Sequence, residues 1–430
     1  MRSRDLSRFA LSICALVVML AGCGGSQPPI GASGELPQAP VLATRPHGTN
    51  YKVVYSFGAQ PDGIHPDASL IDIGGTLYGT TAQGGTNSCG SDGCGTVFTI
   101  TTSGSGKVLY SFGVAPDGNT SRASLLDVDG ALYGTTSYGG KNTCSYGCGT
   151  VFRVTTGGTE KVLYSFGARP DGSNSTAGLI DMDGTLYGTT TDGGLNKCSG
   201  YDGCGTIFTI TMSGKEHALH DFEGPPDGAD PAANLIDVRG TLYGTTYAGG
   251  AHHGGTVFRI GPDGKLKVLH SFGSGNDGKF PFAGLIESEG LLYGTTTEGG
   301  AGSCIGSGSR YVGCGTVFSI TPSGTEKVLH YFSNGSSGDD GQYPLAGLVK
   351  VKGAFYGTTY GSGEGGSQCC GTLFRITRDG SEKVLHSFGS GTGTDGLYPE
   401  AGLINVNGTL YGTTTYGGTH NNGTVFALTI

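Results

Sequence analysis

The chain has 430 residues and a formal charge of −9, and only 14% of its residues are charged, with 85 glycines and no tryptophan. In an aperiodic chain that glycine content would mean disorder, and the acidity argues against a nucleic acid or an anionic lipid surface as partner. Here the glycines recur on a fixed period, so the composition is that of a repeat.

The first element is a leader. Arg2, Arg4 and Arg8 precede an apolar run from Phe9 to Leu20, short for a bilayer crossing, and Leu20-Ala21-Gly22-Cys23 follows. Residues 1–22 are expected to be a signal peptide. The quartet resembles the lipobox of bacterial lipoproteins, which implies that Cys23 is lipidated and becomes the first residue of the exported chain. Three Arg and one Asp leave with the leader, taking the charge to −11. Gly24 stands where the resemblance would put an inner-membrane retention Asp, so the outer membrane or the cell surface is the expected address. Residues 24–50 are rich in Gly, Pro, Ser and Ala and read as a flexible tether, so 23–50 form anchor plus tether. No later segment approaches eighteen consecutive apolar residues, and the acyl chains are the only expected contact with the membrane.

From Tyr51 onward the chain repeats. The motif [LF]-Y-G-T-T has its tyrosine at Tyr78, Tyr133, Tyr187, Tyr243, Tyr293, Tyr356 and Tyr411. G-T-[VIL]-F follows each copy, starting at Gly95, Gly149, Gly205, Gly255, Gly315, Gly371 and Gly423, and the first six are followed by a segment like K-V-L-[YH]-S-F. The seventh is not; its counterpart, Lys52 to Phe57, sits at the other end of the repeat region. Each unit predicts four short strands rich in β-branched and aromatic residues, separated by glycine-containing turns. Four antiparallel strands per unit, with no helical stretch, predict an all-β, seven-bladed β-propeller over residues 51–430. The misplaced strand would complete the seventh blade, so that both ends of the chain close the ring without an open edge. The units resemble the GloVer tandem repeat of exported bacterial proteins, and this resemblance implies a propeller-like extracellular domain while supplying no catalytic residues.

Apart from Cys14 in the leader and Cys23, the cysteines come in pairs within single blades: Cys89/Cys94, Cys144/Cys148, Cys198/Cys204, Cys304/Cys314 and Cys369/Cys370. Blades four and seven have none. Loop disulfides in an oxidising compartment are expected for the first four pairs, while the adjacent Cys369 and Cys370 leave their redox state open. The connections between strands two and three, and between one blade and the next, are long and variable and emerge on one face, which is therefore the candidate site. Just before the Gly-Gly that ends the second strand stand Gln83, Tyr138, Asp192, Tyr247, Glu298, Tyr360 and Tyr416. The inter-blade loops add His65, Phe280, Phe282, Tyr343 and Tyr398. Rings interleaved with carboxylates and amides suit ligands with apolar faces and hydroxyl edges, such as sugars; the same rings also suit packing of the loops. The recurring Asp-Gly of the inter-blade loops, at Asp62, Asp117, Asp171, Asp227, Asp277, Asp340 and Asp395, reads as a turn. Asp127-Val128-Asp129-Gly130 likewise reads as a hairpin turn, and no metal or cofactor is expected.

Three functional classes stay open: a binding module for a glycan, peptide or envelope protein; a structural platform in a cell-envelope assembly; and a polysaccharide lyase or hydrolase. The expected state is a monomer. No G-x-S-x-G or H-E-x-x-H motif is present, although a glycosidase would need only two carboxylates.

Overall fold

The computed structural model describes residues 50–430 except 142–143, 199–202, 303, 307–309, 312, 334–339, 362–369 and 390–392. Cys23, the expected leader and all of the expected tether but Asn50 lie outside the described residues, as does Cys369. All regular structure among the described residues is β: seven four-stranded antiparallel sheets arranged as a seven-bladed propeller, with six short two-stranded ladders beside them.

Blade one runs from the channel outward as Ile71–Ile73, Thr76–Thr81, Thr96–Thr101 and Gly106–Ser111. Five more blades repeat this order. In the seventh, Ile404–Val406, Thr409–Thr414 and Thr424–Thr429 are completed by the N-terminal Tyr51–Ser56, which pairs antiparallel with Thr424–Thr429 from Tyr51 opposite Leu428 to Ser56 opposite Thr424. The expected split blade is therefore the observed one. Between the third and fourth strands every blade carries a register shift at the same point, which adds local twist.

The repeated motifs have physical reasons. In L-Y-G-T-T the glycine faces a phenylalanine of the next strand: a Cβ on Gly244 would lie 2.6 Å from Phe258 Cζ and 2.8 Å from Leu235 Cδ2. That space is needed because each such phenylalanine is buried and meets, edge to face, the phenylalanine that ends the preceding blade. The pairs run from Phe57 with Phe98 round to Phe388 with Phe426, with centroids 5.0–5.5 Å apart. Burying one such ring contributes about 2–3 kcal/mol, and the edge-to-face geometry about 1 kcal/mol more.

The two threonines do different work. The second lies 2.8–2.9 Å, Oγ1 to Oγ1, from the threonine of G-T-[VIL]-F in all seven blades. The first donates to a carbonyl of the following blade, as Thr135 does to Ala177 (2.9 Å) and Thr295 to Ala346 (3.1 Å). Thr413 donates to Ala68 across the point where the chain ends meet (3.3 Å). A second bolt sits on the other side of the seventh blade, at its seam with blade six: the Tyr51 hydroxyl donates to Asp395 Oδ1 at 2.6 Å, and its ring stacks 3.5 Å from that of His386. The apolar core is divided into seven clusters, one at each seam between blades.

Candidate functional site

Both long connections do emerge on one face. Residues of the inter-blade loop pair with those just after the second strand, Gly63–Ile64 with Gln83–Gly84 in blade one, and equivalents in blades two, three, five and seven. Single bridges, Ala229 to Ala248 and Gln342 to Gly361, take their place in blades four and six.

Next to each ladder stands a residue in the left-handed region: His65, Thr120, Asn174, Asp230, Phe280, Tyr343 and Tyr398, all with φ between 56° and 59°. Each staples two blades together. The His65 amide donates to the Asn422 carbonyl of blade seven (3.0 Å), and its carbonyl accepts from the Ala82 amide of blade one (2.9 Å); all seven repeat this pattern. A left-handed non-glycine residue costs on the order of 1 kcal/mol, yet glycine occupies none of the seven.

The staples present the aromatic rings. Tyr360 lies 4.8 Å from Tyr398, Tyr398 6.0 Å from Tyr416, and Tyr416 4.5 Å from His65, an arc across blades six, seven and one. A second group joins Tyr247 to Phe280 (5.0 Å, stacked) and to Phe282 (6.0 Å), whose ring is 37% exposed. Tyr343 stands between, near Glu298, whose carboxyl burial pushes up to about 7. Of the other expected residues, Tyr138 packs against Tyr146 of its own loop (6.4 Å), and Asp192 accepts a hydrogen bond from Asn174 (3.2 Å).

One correction of register is needed. Tyr247 and Tyr360 do not share the position of Gln83, Tyr138, Asp192, Glu298 and Tyr416. Their amides donate to the staple carbonyls of Asp230 and Tyr343, as Ala82 does to His65, which places them one residue earlier.

Beneath the arc the channel opens as a cavity of about 320 Å³ walled by all seven blades. The residue before the recurring Ala that leads into each first strand rims it, giving Asp67, Arg122, Thr176, Ala232, Phe282, Leu345 and Glu400. Charge is therefore confined to blades seven, one and two. Asp67 accepts from Thr415 Oγ1 (3.0 Å) and faces Arg122 at 3.8 Å. Burial, reinforced by the Asp67 charge, pushes the Glu400 carboxyl up to about 8, against the pull of Arg122 and Thr415. Burial and the same two carboxylates raise Tyr416 to about 12, while His65 is lowered chiefly by burial. Lower down, Asn234 donates to Ser124 Oγ (3.1 Å) and accepts from the Gly178 amide (2.6 Å), tying blades two, three and four across the channel wall. The Asp67, Arg122 and Glu400 cluster was not among the expected site residues. Its signal was a column one residue before A-[GSN]-L, readable only with the seven units aligned.

The Asp-Gly turns are turns, and more. Asp117 accepts from the Gly113 and Gly118 amides, each at 2.7 Å. It also accepts from the Tyr110 hydroxyl at 2.8 Å, and the start of the next blade's outer strand adds Glu160, whose carboxyl burial and then the Asp117 charge push up to about 7. This seam unit of ring, aspartate and next-blade residue recurs with variation. Tyr164, Asp171 and Glu216 repeat it; His270, Asp277 and Glu326, and His330, Asp340 and Glu382, put histidine in place of tyrosine. His220 and Asp227 form the ring and aspartate pair as well. Asp127 to Gly130 is a hairpin turn, as expected, in which Asp127 Oδ1 accepts from the Gly130 amide at 3.0 Å.

The four expected disulfides are present, Cys89–Cys94, Cys144–Cys148, Cys198–Cys204 and Cys304–Cys314, with Cα atoms 5.0–5.4 Å apart. They indicate an oxidising, extracellular or periplasmic setting.

No curated protein matches the chain. Among solved structures it is similar to a gluconolactonase from Xanthomonas campestris (16% identity, TM-score 0.36, covering 65% of this chain and 78% of that one). It is also similar to a luciferin-regenerating enzyme (14%, 0.37, 70% and 88%). A family model for the Gloeobacter/Verrucomicrobia repeat matches residues 34–201, 141–338 and 302–430, and with its seven tandem units the chain belongs to that repeat family.

Proposed function

We propose that this protein is an exported, lipid-anchored binding propeller that holds a carbohydrate-like ligand on its long-loop face, over the channel mouth. The observation that carries the reading is the arc of Tyr360, Tyr398, Tyr416 and His65 standing against the charged rim of Asp67, Arg122 and Glu400. Rings offer flat apolar area at low entropic cost, and a carboxylate and guanidinium beside them satisfy hydroxyl groups. A glycan screen with the mature protein, followed by Tyr398→Ala and Tyr416→Ala, tests it. Each substitution is expected to weaken binding about fivefold or more, the equivalent of 1 kcal/mol. Lys215→Ala, beside a tight turn of the opposite face, is expected to leave affinity unchanged. Equal losses from the two faces would favour a platform that docks partners over its rim.

A second reading has its own observation. Glu400 is held protonated near neutrality beside Asp67, which is how a carboxylic acid is kept ready to protonate a leaving group. Polysaccharide turnover abolished by Glu400→Gln would move the protein from binder to hydrolase or lyase.

The anchor is part of the proposal. The basic leader and Leu20-Ala21-Gly22-Cys23 support lipidation at Cys23, with residues 24–50 as the tether. Cell fractionation checks this: wild type is expected in the membrane fraction and Cys23→Ser in the soluble one.

A further inference from the structure

The outer ends of the seams carry chemistry that the channel mouth does not use. At the seam between blades four and five, His270 Nε2 lies 2.9 Å from Asp277 Oδ2, and Glu326 of the next blade brings its carboxylate to the same point. At the following seam His330 Nε2 lies 3.0 Å from Asp340 Oδ2, joined by Glu382. Within each trio one nitrogen and two carboxylate oxygens all lie within 4.8 Å of one another. One oxygen of each glutamate, Oε1 of Glu326 and of Glu382, is sealed from solvent without a hydrogen-bond partner. The ligands are also held in place from behind. Asp277 Oδ1 accepts from the Gly278 amide (2.7 Å) and Asp340 Oδ1 from the Ser333 amide (3.3 Å), while the imidazoles pack edge to face on Phe272 and Phe332.

We infer that these two seams are binding sites for a divalent transition cation of the zinc class, each held by His, Asp and Glu, clamping blade four to blade five and blade five to blade six. Two carboxylates and a neutral imidazole carry the charge that a divalent ion balances. One nitrogen and two oxygen donors are a set that zinc takes with a further position left to solvent. Outer-shell hydrogen bonds such as those on Asp277 and Asp340 orient first-shell ligands. The ion takes the place of the hydrogen bond between imidazole and aspartate. The molecule carries its own controls. Tyr110 and Tyr164 stand in place of the histidine beside the same Asp and Glu, and Leu266 stands where the His220 and Asp227 seam would need its glutamate.

The test uses the purified protein without a polyhistidine tag, stripped with chelator and titrated with ZnCl₂ by calorimetry, with Co²⁺ absorption reporting ligand type. Two equivalents per chain and a zinc-dependent rise in melting temperature are expected. His270→Tyr and His330→Tyr should each lose one equivalent and the double variant both, while folding persists because tyrosine is the natural occupant of three other seams, as Tyr55, Tyr110 and Tyr164. Glu326→Gln should lose one equivalent by a different route. Tyr110→His should gain a third, using the Asp117 and Glu160 already in place. Absence of binding, or two equivalents unchanged in both His→Tyr variants, would overturn the assignment, and failure of Tyr110→His to gain a site would count against the trio as its determinant.

Discussion

Two rings of seven equivalent positions lie in the same molecule and behave oppositely. In the inner scaffold the ring facing the L-Y-G-T-T glycine is phenylalanine every time, from Phe98 to Phe426. At the staples the backbone is just as repetitive, with φ near 57° throughout, but the side chains are His, Thr, Asn, Asp, Phe, Tyr and Tyr. The first ring is fixed by volume, because each phenylalanine fills a gap shaped by a glycine, a leucine and another phenylalanine. At the second ring the constraint lies on amide and carbonyl, so the side chain is left to vary. A scaffold can therefore repeat its geometry while changing its chemistry, and the chemistry gathers on one arc.

The largest way to break the comparison is to open the scaffold. Deleting residues 51–57 removes the outer strand of blade seven, the Tyr51 bolt and Phe57, and should cost several kcal/mol; an unchanged melting temperature would refute the closure as a stabilising element. Next, Phe258→Ala should destabilise by about 3–5 kcal/mol, read from denaturant midpoints.

At the staples the same measurement should give almost nothing. Tyr398→Gly relieves the left-handed backbone while losing ring contacts, so stability should stay within about 1 kcal/mol of wild type, while affinity on the long-loop face falls as for Tyr398→Ala. A loss as large as that of Phe258→Ala would erase the distinction between the two rings.

The smallest effect is in pH. Glu160 and Glu216 have carboxyls near 7 in the fold against about 4.5 unfolded, the first cause being burial and the second the neighbouring aspartate. The folded state thus holds more protons between these values. Their contribution is complete below about pH 4.5 and is lost as pH rises through 7. Melting temperature should decline over that interval, and the Glu160→Gln, Glu216→Gln double variant should flatten the decline.

The blades, the split seventh unit and the four loop disulfides were legible because each rests on local spacing: a motif every fifty to sixty residues and cysteines a few positions apart. Tyr247 and Tyr360 follow directly on the two threonines of the motif, where blade one has Ala82, and the residue that matches Gln83 is Ala248 in blade four and Gly361 in blade six, so their register is fixed by counting forward from [LF]-Y-G-T-T. The rim cluster and the seam trios were invisible to motif reading. Asp67, Arg122 and Glu400 come from three blades, and Glu326 reaches His270 from the next unit. Such contacts exist only once the ring has brought distant units side by side.

The closure also sets an order of events. Disulfides that join residues only 4–10 apart and strands that pair with their immediate neighbours can form as each unit emerges from the export channel, N-terminal units first. Tyr51–Ser56 cannot, since its partner Thr424–Thr429 belongs to the seventh unit. The first strand of the ring is thus the last to find its place, and until then it waits as an unpaired edge. Completion of the ring is a single long-range step that depends on all seven units, so a chain truncated during synthesis or export has no means of sealing itself.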